Sequence, residues 1–143
     1  MEEITKIGVV GLGHLGHHHT RHFAKLGNAK LVGVYDINQQ KCVETALKFK
    51  TRPFESLGGL LKKVDAVSIV TPTKNHNKTA KICIEKGKHV FIEKPITETV
   101  EEANELIALA EAKGTILQVG HIERLNPALT PLVNFDINPK FIE

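Results

Sequence analysis

Hydrophobic positions along this chain form short continuous runs that alternate with longer stretches of mixed polarity. The short runs are rich in β-branched residues and predict strands over 7–10, 31–36, 64–70, 89–93 and 115–120. The longer stretches carry apolar residues three and four positions apart, which predicts helices over 14–27, 38–49, 75–87 and 99–113. Strands and helices therefore alternate along most of the chain.

Strands that are apolar on both faces and joined by helices predict a parallel sheet covered on each side. Because each right-handed crossover places a helix over one face, we expect an α/β fold, a doubly wound parallel sheet of the Rossmann type. The last helix has the clearest ends, since Thr99 and Glu102 predict a capping box and Gly114 a C-terminal stop. The alternation stops at Gly120, so residues 1–120 are predicted to form one domain.

Composition and charge narrow the class of protein. The 143 residues are 41% hydrophobic and 24% charged, which is typical of one globular domain. The net charge of +3 is spread along the chain without a basic block, so no nucleic-acid partner is predicted. No apolar segment reaches the roughly 20 residues of a membrane span, and no leader precedes the first strand, so we expect a cytoplasmic location. Cys42 and Cys83 lie in predicted helices and are expected to be buried free thiols.

The segment GLGHLG follows the first predicted strand and opens the first helix. In this GxGxxG pattern Gly11 permits a tight turn, Gly13 lets a diphosphate approach the backbone, and Gly16 allows close packing of helix on strand. The free amides of the helix start, including those of His14 and Leu15, are then predicted to bind the phosphates of a dinucleotide.

Asp36 ends the second predicted strand about 20 residues after the glycine motif, where a carboxylate accepts hydrogen bonds from ribose hydroxyls. Its charge repels a 2′-phosphate, and Ile37 stands where an arginine would have helped such a phosphate. NAD is therefore favoured over NADP as the cofactor. The alternative is that Asp36 only caps the next helix, although Asn38 is also available as that cap.

The first helix also carries a cluster of histidines, namely His14, His17, His18, His19 and His22. Two of them stand one helical turn apart, but no carboxylate or cysteine lies nearby in sequence to complete a metal site. We therefore predict no metal and expect solvated helix residues. The exception is His14, which lies in the variable part of the glycine motif and is predicted to contact the diphosphate.

The segment TPTKNH follows the strand predicted over 64–70, at the edge of the sheet where such folds bind ligands. Thr71, Pro72, Thr73 and His76 are thus predicted to face the cofactor. The alternative is that Asn75 caps the following helix while the proline only shapes the turn.

The next strand is followed by Glu93, Lys94 and Pro95. A lysine and a carboxylate at this edge have the chemistry to orient a substrate hydroxyl and assist proton transfer. A surface ion pair is the alternative interpretation.

With these motifs, the sequence resembles the glucose-fructose oxidoreductase / inositol dehydrogenase / MocA-like (Gfo/Idh/MocA) family, whose members act mainly on sugars, inositols and nucleotide sugars. The resemblance covers residues 4 to about 131. It rests on GLGHLG, the strand-ending Asp36, TPTKNH and above all HVFIEKPIT, which occur in the family's order and spacing.

The resemblance implies that Lys94 is the catalytic residue beside the nicotinamide and the substrate, and that Glu93 and Pro95 shape the same corner. Glu93 and Lys94 are therefore predicted to contact the cofactor. The resemblance also implies a cis bond between Lys94 and Pro95. The stretch GHIERLNP resembles a branch associated with UDP-N-acetylhexosamine-type sugars, in which the 3-hydroxyl is oxidised. His121, Arg124 and Asn126 would then bind the substrate.

Family members continue into a second domain, an open antiparallel sheet that carries the usual histidine base. Residues 121–143 are expected to be a linker and the start of this domain, so the resemblance implies a truncated chain that is inactive alone. The full-length protein is expected to be a homo-oligomeric NAD-dependent dehydrogenase of sugar or nucleotide-sugar hydroxyls. An NAD-sensing module without turnover is the alternative, and a methyltransferase is disfavoured because it has no use for the EKP and TPTKNH segments.

Overall fold

The computed structural model describes residues 4–134 of the chain, in which strands and helices alternate as predicted. The strands are β1 (Thr5–Val10), β2 (Ala29–Tyr35), β3 (Arg52–Pro53), β4 (Ala66–Ile69), β5 (His89–Ile92) and β6 (Leu117–Val119). The α-helices are α1 (His14–Phe23), α2 (Gln39–Phe49), α3 (Leu57–Leu61), α4 (His76–Glu85) and α5 (Val100–Lys113). Short 3₁₀ helices cover Thr73–Asn75, Ile122–Leu125 and Pro127–Asn134.

The six strands form one sheet in the order β3-β2-β1-β4-β5-β6, and every pair in it is parallel. The chain winds outward from β1 to β3 and then returns to the other side of β1 for β4, β5 and β6. This confirms the doubly wound Rossmann prediction. The order reverses between β1 and β4, and ligands bind such sheets in the crevice that opens at this point, beyond the carboxyl ends of the strands.

Two hydrophobic clusters cover the two faces of the sheet. Adjacent residues of a strand point to opposite faces, and Val9 and Val10 of β1 accordingly belong to different clusters. The larger cluster includes side chains of α3, α4 and α5. The smaller one includes side chains of α2, together with a side chain that follows β1. Both cysteines are buried free thiols, as predicted, and burial raises the pKa of Cys83 to about 12.

The structure contains two elements that the sequence pattern did not predict, β3 and α3. The strand is only two residues long at the edge of the sheet, and the helix LGGLL contains two glycines that weaken its propensity. Part of the predicted linker and second-domain start over 121–143 lies outside the described residues, and the predicted domain boundary at residue 120 stays a prediction. No helix within residues 4–134 is both long enough and apolar enough to cross a membrane.

The ends of α5 follow the predicted caps. Thr99 accepts a hydrogen bond at its hydroxyl from the backbone N–H of Glu102, at 3.2 Å. The carboxylate of Glu102 accepts from the N–H of Glu98 at 3.2 Å, one residue before the position that a capping box requires. Gly114 ends the helix in the left-handed conformation, with φ of 63°.

Replacing Thr99 by alanine is expected to lower the free energy of unfolding by about 1 kcal/mol, because the first turn of α5 loses its side-chain cap. Urea unfolding followed by circular dichroism measures this change. Thr130→Ala, at an exposed position near the end of the described chain, is the matched control and should leave the free energy unchanged. Equal stabilities of the two variants would contradict the assigned cap.

Candidate dinucleotide and active site

The predicted site residues all follow the carboxyl ends of strands. The glycine motif follows β1, Asp36 follows β2, Thr71 follows β4, Lys94 follows β5 and His121 follows β6. Because all strands are parallel, these segments lie along one edge of the sheet. Two open clefts of about 420 and 490 Å³ lie elsewhere and are lined by Lys6, Lys30 and Lys50 among others, beside the amino ends of β1 and β2.

The turn between β1 and α1 depends on two of its glycines. Gly11 has φ of +94°, and a Cβ there would lie 2.7 Å from the backbone nitrogen of Thr71. A Cβ on Gly16 would lie 2.0 Å from the carbonyl oxygen of Gly11. The turn can therefore pass between α1 and the end of β4 only because both positions lack a side chain.

The start of α1 is open to a ligand. Gly13 is the N-cap residue, and no side chain caps the helix. A Cβ on Gly13 would meet no atom within 4 Å, and Gly13, His14 and Leu15 are exposed. The first amides of a helix have no intrahelical partner and carry the positive end of the helix dipole. This uncapped, open start fits the diphosphate of a dinucleotide.

The carboxylate of Asp36 lies against the glycine motif. Its Oδ2 accepts from the N–H of Leu12 at 2.7 Å, and its Oδ1 accepts from the N–H of Asn38 at 2.9 Å. The side chain of Asn38 caps α2 by accepting from the N–H of Lys41 at 3.2 Å, so Asp36 is not needed as the cap of α2. The buried thiol of Cys42 accepts from the N–H of Asp36 at 3.0 Å. Asp36 is thus fixed beside the glycine turn, with lone pairs left on both oxygens for a ligand.

The residues after β4 include a buried threonine and a short 3₁₀ helix. Thr71 has a buried hydroxyl oxygen that, within residues 4–134, finds no hydrogen-bond partner. Its backbone nitrogen borders Gly11, so Thr71 adjoins the glycine turn. Pro72 and Thr73 begin the short 3₁₀ helix, and Asn75 precedes α4 without a side-chain cap.

His76 is buried and has backbone partners at both ring nitrogens, and its contact with the cofactor stays a prediction. Its side chain is only 1% exposed. Nδ1 lies 2.9 Å from the carbonyl oxygen of Pro95, and Nε2 lies 2.8 Å from the carbonyl oxygen of Thr71. His76 thus joins the turn after β4 to the turn after β5.

The turn after β5 contains the cis Lys94–Pro95 bond that the family resemblance implied. Lys94 is exposed, and within the described part of the chain its ammonium takes part in no ion pair, contrary to the alternative of a surface pair. The carboxylate of Glu93 has a different partner. Its Oε1 lies 3.0 Å from Nε2 of His19, and its Oε2 accepts from the N–H of Lys94 at 3.2 Å. The contact predicted between Glu93 and the cofactor stays a prediction.

His19 corrects the expectation that the histidines of α1 are all solvated. Its Nδ1 lies 2.8 Å from the hydroxyl oxygen of Ser68, a fully buried residue of β4. Burial lowers the pKa of His19, and the nearby charge of Glu93 opposes that shift. His14 and His18 lie on the exposed side with their Nε2 atoms 3.3 Å apart. Residues 4–134 contain no group of three potential metal ligands.

The residues predicted to bind substrate follow β6 at the same edge. His121 and Arg124 are exposed at either end of the short 3₁₀ turn. Asn126 has local partners, since its Nδ2 donates to Glu123 at 2.8 Å and its Oδ1 accepts from the N–H of Ala128 at 3.0 Å. Their contact with a substrate stays a prediction.

Comparison with known proteins agrees with this geometry. The family described as "Oxidoreductase family, NAD-binding Rossmann fold" (Gfo/Idh/MocA) matches residues 5–121. The chain belongs to this family. The NAD-binding Rossmann fold of this family is the fold that the glycine turn and Asp36 indicate.

Several individual members resemble this Gfo/Idh/MocA chain. UDP-N-acetylglucosamine 3-dehydrogenase of Acidithiobacillus ferrooxidans is 40% identical over 139 residues, which cover 96% of this chain and 44% of the relative. The crystal structure of that enzyme superposes with a TM-score of 0.88 at 41% identity, covering 92% of this chain and 43% of the other. The scyllo-inositol 2-dehydrogenase (NAD(+)) of Bacillus subtilis is 35% identical over 134 residues, covering 90% and 39%.

Another solved structure that is similar to this Gfo/Idh/MocA chain contains a bound cofactor. GenD2 from gentamicin A biosynthesis, solved in complex with NAD, superposes with a TM-score of 0.79 at 28% identity, covering 82% of this chain and 34% of the other. The chain therefore spans less than half the length of these relatives.

Proposed function

We propose that this chain binds NAD along the carboxyl edge of its sheet and belongs to a dehydrogenase that acts on a sugar or nucleotide-sugar hydroxyl. The observation that carries this proposal is the carboxylate of Asp36, which is held 2.7 Å from the N–H of Leu12 beside an open, uncapped helix start. A diphosphate at the helix start and an adenosine ribose at the carboxylate are the two contacts that a dinucleotide requires.

NAD is the proposed cofactor rather than NADP. A 2′-phosphate would bring negative charge towards the carboxylate of Asp36, and the neighbouring Ile37 is 90% exposed and offers no positive charge. GenD2, which has the same fold, was solved with NAD.

Lys94 is proposed to act on the substrate. When bound, NAD would accept or supply the hydride at its nicotinamide ring. The exposed ammonium of Lys94 has three donors with which to orient the substrate hydroxyl and stabilise negative charge that develops on its oxygen. Glu93 keeps the backbone of this turn in place, because its carboxylate accepts from the N–H of Lys94.

The substrate class proposed for the whole protein is a UDP-N-acetylhexosamine oxidised at its 3-hydroxyl. This assignment is supported by the 40% identity with UDP-N-acetylglucosamine 3-dehydrogenase, which extends over 96% of the chain. His121 and Arg124 are exposed beyond β6, at the same edge as Lys94, and are proposed to contact the sugar nucleotide.

Titration of the chain with NADH by calorimetry tests the cofactor proposal. Saturable binding is expected, with NADPH at least about tenfold weaker and S-adenosylmethionine not binding. Asp36→Asn is expected to weaken NADH about tenfold, because hydrogen bonds to a charged acceptor contribute about 1.5–3 kcal/mol, and to reduce the preference over NADPH.

The matched control is Asp65→Asn, which removes the same charge from an exposed carboxylate near the amino end of β4. It should leave NADH affinity unchanged. Equal affinities of the wild-type chain for NADH and NADPH would refute the choice of NAD. Adding UDP-N-acetylglucosamine or scyllo-inositol to the NADH-saturated whole protein tests the substrate class. Binding of scyllo-inositol without binding of UDP-N-acetylglucosamine would exclude the nucleotide sugar.

A further inference from the structure

A hydrogen-bonded chain of buried polar groups joins the centre of the sheet to the turn that carries Lys94. It begins at the hydroxyl of Ser68 in β4, passes through the imidazole of His19 in α1, and reaches the carboxylate of Glu93 after β5. It ends at the backbone N–H of Lys94. The three distances along it are 2.8, 3.0 and 3.2 Å.

We propose that His19 is a positioning residue for Lys94: it fixes the carboxylate of Glu93, which in turn holds the backbone at Lys94 beside the site proposed for the nicotinamide. This inference rests on the proposed function, since it assumes that Lys94 lies beside the nicotinamide. It assigns a role to a residue of the glycine-motif helix that does not depend on contact with the cofactor.

These hydrogen-bonded side chains are mostly shielded from water, so each depends on the partners beside it. Ser68 is fully buried, and the side chains of His19 and Glu93 are 17% and 12% exposed. A buried carboxylate without a partner is costly, so Glu93 depends on the imidazole for one oxygen and on Lys94 for the other. Gly120 closes the other side, because a Cβ there would lie 3.0 Å from Oε1 of Glu93.

The carboxylate partner places one proton on the His19 ring. A carboxylate only accepts, so Nε2 of His19 carries the proton that faces Glu93. With the ring neutral, Nδ1 accepts from the hydroxyl of Ser68. The charged groups that influence the ring are Glu93, which raises its pKa, and His22 on the same helix, which lowers it. Burial has the largest effect and lowers the pKa of His19 below its ordinary value, which favours the neutral ring.

Two aromatic rings lie beside the imidazole of His19. The rings of Phe91 and Phe23 lie 5.7 and 6.5 Å from it, centroid to centroid. Gly16 is three residues earlier and Thr20 follows directly, so His19 lies on the face of α1 that packs on the sheet. The glycine motif and the Lys94 turn are therefore mechanically joined by one side chain.

The first test compares NADH with ADP-ribose, which lacks the nicotinamide. His19→Leu removes both hydrogen bonds but keeps an apolar side chain, and we expect it to weaken NADH about tenfold while ADP-ribose changes less than about twofold. His19→Gln retains an amide donor for Glu93 and should recover most of the NADH affinity. His22→Gln, at an exposed position of the same helix, is the control and should change neither ligand. A purely structural role would weaken both ligands together.

The second test asks whether His19 acts through Lys94. Lys94→Ala removes the side chain that is proposed to lie beside the nicotinamide, so it is expected to lower NADH affinity and leave ADP-ribose affinity unchanged. Adding His19→Leu to it should cost little more, because the side chain that the turn positions is already gone. Additive losses would overturn the proposal. If the wild-type chain bound neither NADH nor ADP-ribose, the proposed function would be refuted, independently of the role of His19.

The third measurement needs no cofactor, so it tests the role of His19 even if the chain binds neither NADH nor ADP-ribose. By NMR, the Lys94 amide should exchange with solvent about tenfold faster in His19→Leu, since Glu93 is released from its fixed position. The His19 ring should titrate below its ordinary pKa, and Glu93→Gln should lower that pKa further by removing the charge that raises it. An unchanged Lys94 amide in a folded His19→Leu chain would overturn the proposal.

Discussion

Gly16→Ala is expected to lower the free energy of unfolding by about 3 kcal/mol, the upper end of the usual cost of overpacking. The added Cβ would lie 2.0 Å from the carbonyl oxygen of Gly11, and no rotamer change relieves a contact between Cβ and backbone. The start of α1 would have to move away from the sheet. Thr20, whose buried hydroxyl donates to the carbonyl of Gly16 at 2.7 Å, would move with it.

Urea unfolding of Gly16→Ala, together with an NADH titration of the folded fraction, measures both consequences. Gly58→Ala is the control because a Cβ at that position of α3 would meet no atom within 4 Å. Alanine is favoured over glycine inside a helix, so this control should be as stable as the wild-type chain or slightly more stable. A Gly16→Ala chain with wild-type stability would show that α1 does not pass so close to the glycine turn.

The main features of the fold are predictable because they depend on local pattern. Continuous apolar runs identified all strands except β3, and the amphipathic stretches identified all α-helices except α3. The end of α5 was predictable to the residue, since Thr99 and Gly114 act through neighbours in sequence. Asp36 was predictable as a position, whereas its bond to Leu12, 24 residues away, required the structure.

The hydrogen bonds that hold the turns of the site in place were not predictable from local pattern. His19 stands among other histidines, and its bond to Ser68 joins residues 49 positions apart. One signal was present, because His19 shares a helical face with Gly16, Thr20 and Phe23, at the spacing of a side packed on the sheet. The backbone partners of His76 also required the structure, for a related reason. A strand-end position predicts the right edge of the sheet but does not say whether a side chain points towards the ligand or behind the turn.

Gly13→Ala is expected to abolish most NADH binding, by about a hundredfold, while changing the free energy of unfolding by less than about 1 kcal/mol. The two glycines differ in what surrounds them. A Cβ on Gly13 would meet no protein atom within 4 Å, and its φ of −71° suits any residue, so the fold tolerates alanine. The methyl group would instead occupy the space through which a diphosphate approaches the amides of the helix start.

Calorimetric titration of Gly13→Ala with NADH and with ADP-ribose measures this loss. Both ligands contain the diphosphate, so both should weaken together, in contrast to the selective loss of NADH expected for His19→Leu. Unchanged affinity in Gly13→Ala would mean that the diphosphate does not approach the backbone at this glycine. A stable fold without NADH binding would separate the two requirements of the glycine motif, since Gly16 would then serve packing and Gly13 the cofactor.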